Sequence, residues 1–190
     1  EGALVLIDAR SRQVLAMVGG YEAAGGFNRA TQARRQPGST FKPIAYAQAL
    51  KSRQVHLATP LLDRSIVDAE GWKPDNYDAQ HSGYILLRDA VARSVNAPIV
   101  DMLLNRGGQD EQPVLALPEV VKLAHALGIR SELSATPSLV LGSSEVNLLE
   151  LTNAYTTFAA GGRYEAPVLV TKVLDPRQRT VKLAAPAPGR

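Results

Sequence analysis

Two short clusters in this chain pair a hydroxyl with groups able to move its proton. The first is Ser39-Thr40-Phe41-Lys42. A serine hydroxyl is a poor nucleophile until a neighbouring base takes its proton. Residues three apart on a helix share a face, so Lys42 is placed to reach the Ser39 hydroxyl. To serve as a base Lys42 must be neutral. Its pKa must then fall from about 10.4 toward 7–8, a shift worth roughly 4 kcal/mol. Burial and the positive end of a helix dipole both act in that direction, and the same helix start offers the Ser39 backbone N–H to an oxyanion. The second cluster is Ser94-Val95-Asn96, fifty-five residues downstream. In an extended segment residues i and i+2 project to one side, so Ser94 and Asn96 can face one cleft. Ser94 could relay a proton there, and the Asn96 amide could bind both Lys42 and a substrate carbonyl. Read alone, each cluster is a weak signal, and helix-capping residues with a solvated lysine are the better description.

Other chemistries find less support. The chain has no cysteine, which removes disulfides and thiolate metal sites. His56, His81 and His125 are scattered and form no H-E-x-x-H pair, so neither a metal site nor a cofactor is expected. The net charge is +3, with eight basic and three acidic residues in the first 53. Arg29, Arg34 and Arg35 cluster there, but no aromatic residue alternates with them. They read as a solvated basic face rather than a nucleic-acid surface, with attraction for an anionic substrate or lipid surface as an intermediate reading. No apolar run reaches the roughly 18–20 residues a membrane helix needs. The chain opens on Glu1, which points to an internal piece or a processed protein, so targeting segments would lie elsewhere.

The elements that must position the two clusters follow from hydrophobic pattern and turn residues. Residues 3–9 and 14–18 read as a β-hairpin. Pro37-Gly38 marks a turn, with Ser39 as the N-cap of a helix reaching about Leu50 and Pro43 tolerated in its first turn. Residues 58–84 look like an irregular connection. Helices fit 86–94 and a segment starting near Pro98, where the proline suits the first turn, and Gly107-Gly108-Gln109 then breaks the chain. Further helices fit 118–127, ended by Gly128, and 148–160, ended by Gly161. Residues 168–174 and 180–183 read as strands around the turn Asp175-Pro176-Arg177-Gln178, and 184–190 as an open end. The order of strand pair, helices and strand pair gives an α/β or α+β fold in one domain.

Over nearly its whole length the chain resembles the transpeptidase domain of class A penicillin-binding proteins. The segment from Phe27-Asn28-Arg29-Ala30 through Arg35-Gln36-Pro37-Gly38-Ser39-Thr40-Phe41-Lys42-Pro43 is similar to that family's active-site segment. Trp72-Lys73-Pro74-Asp75-Asn76-Tyr77 and Arg88-Asp89-Ala90 to Ser94-Val95-Asn96 follow in the family's order and spacing. So do Leu141-Gly142-Ser143-Ser144-Glu145-Val146 and Ala154-Tyr155 to Phe158-Ala159, while 109–113 look like a variable insert. The resemblance implies a β-lactamase/transpeptidase-like fold and catalytic residues Ser39, Lys42, Ser94 and Asn96, with Ser39 and Asn96 also binding substrate. It implies that Ser39 attacks the D-Ala-D-Ala bond of peptidoglycan stem peptides and is acylated by β-lactams. A membrane anchor, an upstream glycosyltransferase domain, an extracytoplasmic (periplasmic) location at the cell membrane and cell-wall synthesis partners are implied in the same way.

One departure stands out. The family's last motif, K-[ST]-G, does not occur in the 190 residues. His81-Ser82-Gly83 looks similar but precedes Ser94, and it reads as a loop. The expectation is a domain cut before its K-T-G strand. That piece would be weakly active or inactive, because one lost oxyanion donor costs about 10²–10³ in rate, and it would carry an exposed sheet edge. Two alternatives remain: a non-catalytic scaffold of the same fold, and a β-lactam sensor or a serine β-lactamase, the latter needing Glu145 or Glu150 to activate water for deacylation.

Overall fold

Consecutive residues on a helix are about 100° apart, so a helix that buries three in a row is enclosed on most of its circumference. That is the case for α1, Lys42–Lys51, where Ile44, Ala45 and Tyr46 are all buried, with Ala49 a turn further on. The computed structural model describes residues 2–21, 25–104 and 114–181. In it α1 is the central post, packed against three other helices and the 3-10 turn Pro137–Leu141. Those helices are α2 (Leu87–Ala92), α3 (Ala97–Leu104) and α4 (Leu117–Ala126). Phe41, Leu87, Ala90, Ile99, Val100, Val120, Ala124, Leu139 and Val140 form the core around it, each fully buried. The last described helix, α5 (Leu148–Ala159), starts where the Asn147 side chain accepts from the N–H groups of Leu149 and Glu150.

Among the described residues three two-stranded antiparallel sheets accompany these helices. The expected hairpin forms as β1 (Leu4–Ile7) and β2 (Val14–Val18), with Leu4 opposite Val18. A second pair, β3 (Arg34–Arg35) with β6 (Val146–Asn147), joins the segment before Ser39 to the start of α5. The third pair corrects the expectation of an irregular connection. β4 (Pro60–Asp63) and β5 (Gly83–Leu86) pair across nineteen intervening residues, with Leu61 and Ile85 turned into the core. Four-residue strands so far apart in sequence leave no local periodicity to read.

Two other expectations are corrected. Ser39 is not a helix N-cap: it sits inside the 3-10 turn Gly38–Phe41, no side chain caps that turn, and the α-helix proper begins at Lys42. Residues 168–174 form no extended strand pair among the described residues. They make single bridges, Gln13 with Val168 and Leu174 with Thr180, and Leu169 and Val170 are exposed. The turn between the bridges is as expected. Asp175 accepts from the N–H groups of Arg177 and Arg179, and Gln178 takes a left-handed φ of 61°. Gly107-Gly108-Gln109, the insert at 109–113, Leu183 and residues 184–190 lie outside the described residues.

Candidate active site

Ser39 is exposed at the mouth of the central helix, and the turn that presents it is held from two directions. Gly38, at a left-handed φ of 56°, donates its N–H to the carbonyl of Gly142 at 3.1 Å. Tyr155 of α5 donates its hydroxyl to the Thr40 carbonyl at 2.7 Å. The approach of the two glycines is so close that a Cβ on Gly142 would lie 2.1 Å from the Gly38 carbonyl oxygen. Both Gly142 and Tyr155 come from segments more than a hundred residues away in sequence.

Lys42 lies one turn into the interior and is only 2% exposed. Its Nζ donates to the Ser94 carbonyl at 2.5 Å, the Ser94 hydroxyl at 3.1 Å and the Asn96 Oδ1 at 2.5 Å. Burial lowers its pKa from 10.5 to about 8, since taking a charged ammonium out of water favours the neutral amine. Among the described residues Lys42 makes no hydrogen bond to Ser39; its donors are turned to the second cluster.

Ser94 and Asn96 reach Lys42 by a route other than the extended one expected. Ser94 follows α2 with φ 56°, a left-handed conformation unfavourable for a non-glycine residue. That conformation turns both its carbonyl and its hydroxyl onto one ammonium group. Asn96 sits just before α3 and is held by two neighbours from the loop after β4. Its Nδ2 donates to the Asp75 carbonyl at 2.8 Å, and its backbone N–H donates to the Asn76 Oδ1 at 3.0 Å. The sequence brought Asp75 and Asn76 to notice only as part of a similar segment. Their contact with the site depends on a turn that carries no periodic signal.

The remaining candidates are occupied elsewhere. Glu150 accepts at Oε2 from the N–H groups of Arg130 and Ser131 and from the Ser131 hydroxyl, so its carboxylate braces a loop. Glu145 lines a polar depression with Arg34, Glu132 and Ser144. His81 and Ser82 contact the Asp63 carboxylate, at 3.2 and 2.8 Å. Among the described residues no three His, Asp or Glu side chains gather as a metal site requires.

An exposed serine thus stands one turn before a buried lysine that contacts Ser94 and Asn96, and comparison with known proteins gives the family. The penicillin-binding protein transpeptidase domain family matches residues 2–187. The chain belongs to that family. Similar relatives of this transpeptidase domain include penicillin-binding protein 1A of Neisseria lactamica, 38% identical over 94% of the chain and 22% of the relative. Penicillin-binding protein 1B of Haemophilus influenzae is 35% identical over 92% of the chain, again 22% of the relative. The chain thus spans about a fifth of the length of these relatives. The domain also superposes on penicillin-binding protein 1A of Haemophilus influenzae with a TM-score of 0.80 at 29% identity, covering 96% of this chain and 27% of that one. With PonA1 of Mycobacterium tuberculosis, solved in complex with penicillin V, the TM-score is 0.78 at 28% identity, over 95% of this chain and 49% of that one. The fold is therefore the penicillin-binding, β-lactamase-like one. No helix among the described residues is long and apolar enough to cross a membrane.

Proposed function

We propose that this chain belongs to a peptidoglycan DD-transpeptidase of the cell envelope, and that Ser39 is its acyl-accepting nucleophile. The observation that carries the reading is the state of Lys42: buried, with its pKa lowered to about 8, and in hydrogen-bond contact with both Ser94 and Asn96. Of the three partners of Nζ, the Ser94 carbonyl and the Asn96 Oδ1 can only accept. The Ser94 hydroxyl alone can turn and donate to a neutral amine. A neutral Lys42 can therefore keep two N–H bonds and leave its lone pair for a hydroxyl proton.

In the proposed reaction Lys42 takes the Ser39 proton as Oγ attacks the carbonyl carbon of the penultimate D-Ala. The Ser39 N–H, at the start of the turn, faces the developing oxyanion. Collapse breaks the C–N bond, and the terminal D-Ala leaves with a proton passed from Lys42 through Ser94. The amine of a second stem peptide then attacks the acyl carbon, forming the cross-link and returning Ser39. A β-lactam follows the first half of this sequence. The likeness to PonA1, whose structure holds penicillin V, supports that substrate class. Membrane attachment, a glycosyltransferase domain and an extracytoplasmic location are part of the same proposal.

The test is intact mass after incubation with penicillin V, on the full-length protein that contains this chain. A single adduct that disappears in Ser39→Ala is expected. Covalent labelling that survives Ser39→Ala would overturn the assignment. An unlabelled wild-type protein would leave a non-catalytic module of this fold as the better reading, and rapid hydrolytic turnover would favour a β-lactamase.

A further inference from the structure

Behind the second cluster lies a buried polar network that the reaction above does not use. Asp63, at the end of β4, is 2% exposed. Its Oδ1 accepts from the Asn76 Nδ2 at 2.8 Å and from the His81 Nδ1 at 3.2 Å, and its Oδ2 accepts from the Ser82 N–H at 2.8 Å. Burial pushes the Asp63 carboxyl up, but the hydrogen bonds from Ser82, Asn76 and His81 outweigh it and hold the group below its ordinary value. Asp63 is thus an acceptor only at neutral pH.

Asn76 is 7% exposed and has every polar position engaged. Its Nδ2 faces two acceptors, the Asp63 carboxylate and the Gln80 carbonyl at 2.7 Å. Its Oδ1 faces two donors, the backbone N–H groups of Asn96 and Ala97, each at 3.0 Å. Turning the amide over would set donors against donors and acceptors against acceptors, so its orientation is fixed. The two N–H groups it receives stand at the start of α3, where no helical carbonyl is available to them. Asn76 therefore supplies from a distant loop the cap that neither Asn96 nor Ala97 finds locally. The chain of contacts is continuous: Asp63 fixes Asn76, Asn76 fixes the Asn96 backbone, and Asn96 Oδ1 holds Lys42 Nζ.

We propose that Asp63 and Asn76 are positioning residues for acyl transfer, holding Asn96 and through it Lys42 in register with Ser39. The inference rests on the proposed function for the identity of the reacting groups. Loss of the network is expected to slow acylation rather than weaken penicillin binding, because both residues are buried and reach Lys42 only through Asn96.

The test uses the full-length protein and penicillin V, with rapid-quench mass spectrometry separating the apparent dissociation constant from the acylation rate constant. Asn76→Asp keeps the acceptor for the α3 N–H groups but sets two carboxylates against each other. Its acylation rate constant is expected to fall about tenfold or more, within the ~10²-fold that a 1 Å misplacement can cost, at an apparent dissociation constant changed by less than about threefold. The pair Asp63→Asn with Asn76→Asp restores a donor facing an acceptor and is expected to recover at least about threefold of that loss. Three outcomes overturn the proposal: Asn76→Asp acylates like the parent, the pair is no faster than Asn76→Asp, or the slowed rate is fully accounted for by a smaller folded fraction in the melting curve. Both variants keep Ser39, so retained labelling of Ser39→Ala would refute the proposed function independently of these results.

Discussion

A lysine that is to act as a base must be protected from water and yet not left without partners, and Lys42 meets both conditions. Its lowered pKa sets a sign for two measurements. In the proposed reaction the neutral amine is the active form, so the acylation rate constant is expected to rise by about tenfold per pH unit at low pH and to level above pH about 8. A flat profile between pH 6 and 8 would show that Lys42 is not the base. Stability follows the same shift. Between pH about 8 and 10.5 the unfolded chain holds the Lys42 proton more tightly than the folded chain does. Folding stability from this group therefore increases with pH across that window, an increase that Lys42→Met should abolish in denaturant titrations. Asp63 has the acidic counterpart. Its folded pKa lies below 3.8, so its contribution is present above that value and is lost as pH falls through the lower folded one. At this scale the sequence singled out Ser39, Lys42, Ser94 and Asn96 as candidates, and it was the resemblance of the surrounding segments, more than their types and spacing, that pointed to acyl transfer. Asp63 was not legible, because a lone aspartate in a loop-like stretch carries no sign of what will surround it.

Elements decide where these residues stand, and the turn bearing Ser39 is the clearest case. It is fixed by backbone contact with Gly142, at φ 80°, and by the Tyr155 hydroxyl. Gly142→Ala would place a Cβ against backbone that cannot move cheaply, in a conformation that costs an L-residue roughly 1–2 kcal/mol. A lower melting temperature is expected, together with acylation slowed by up to ~10²-fold as the serine turn shifts. Wild-type acylation in this variant would show that the Gly38–Gly142 contact does not set the serine. Tyr155→Phe removes one hydrogen bond and keeps the ring, so a loss of about 1 kcal/mol in stability is expected with a smaller kinetic effect. The helices were readable from the sequence because their caps and glycine stops are local: 118–127 and 148–160 fall within a residue of α4 and α5. The pairs β3–β6 and β4–β5 were not, since each joins two- or four-residue strands from distant segments.

For the whole molecule the question is what this length of chain achieves by itself. The β1–β2 hairpin leaves Leu4, Leu6, Leu15 and Val18 each more than half exposed, and among the described residues its strands form a two-stranded sheet whose further backbone pairing is the bridge at Val168. One side of the hairpin packs on α5, and apolar side chains left exposed on it favour association. The 190-residue chain alone is therefore expected to show light scattering that rises with concentration, reduced in Leu15→Lys; a monomer at all concentrations would contradict this. By itself the sequence determined the family, through a resemblance running along nearly the whole chain, and it supplied the candidate site residues and most helices, because residue type and capping are local properties. Tertiary structure decided that Lys42 would face Ser94 and Asn96, that Ser94 would adopt a left-handed turn, and that Asp63 and Asn76 would stand behind them. Those outcomes depend on burial and on hydrogen bonds between segments tens of residues apart, and the energy of such contacts exists only once the chain has closed around them.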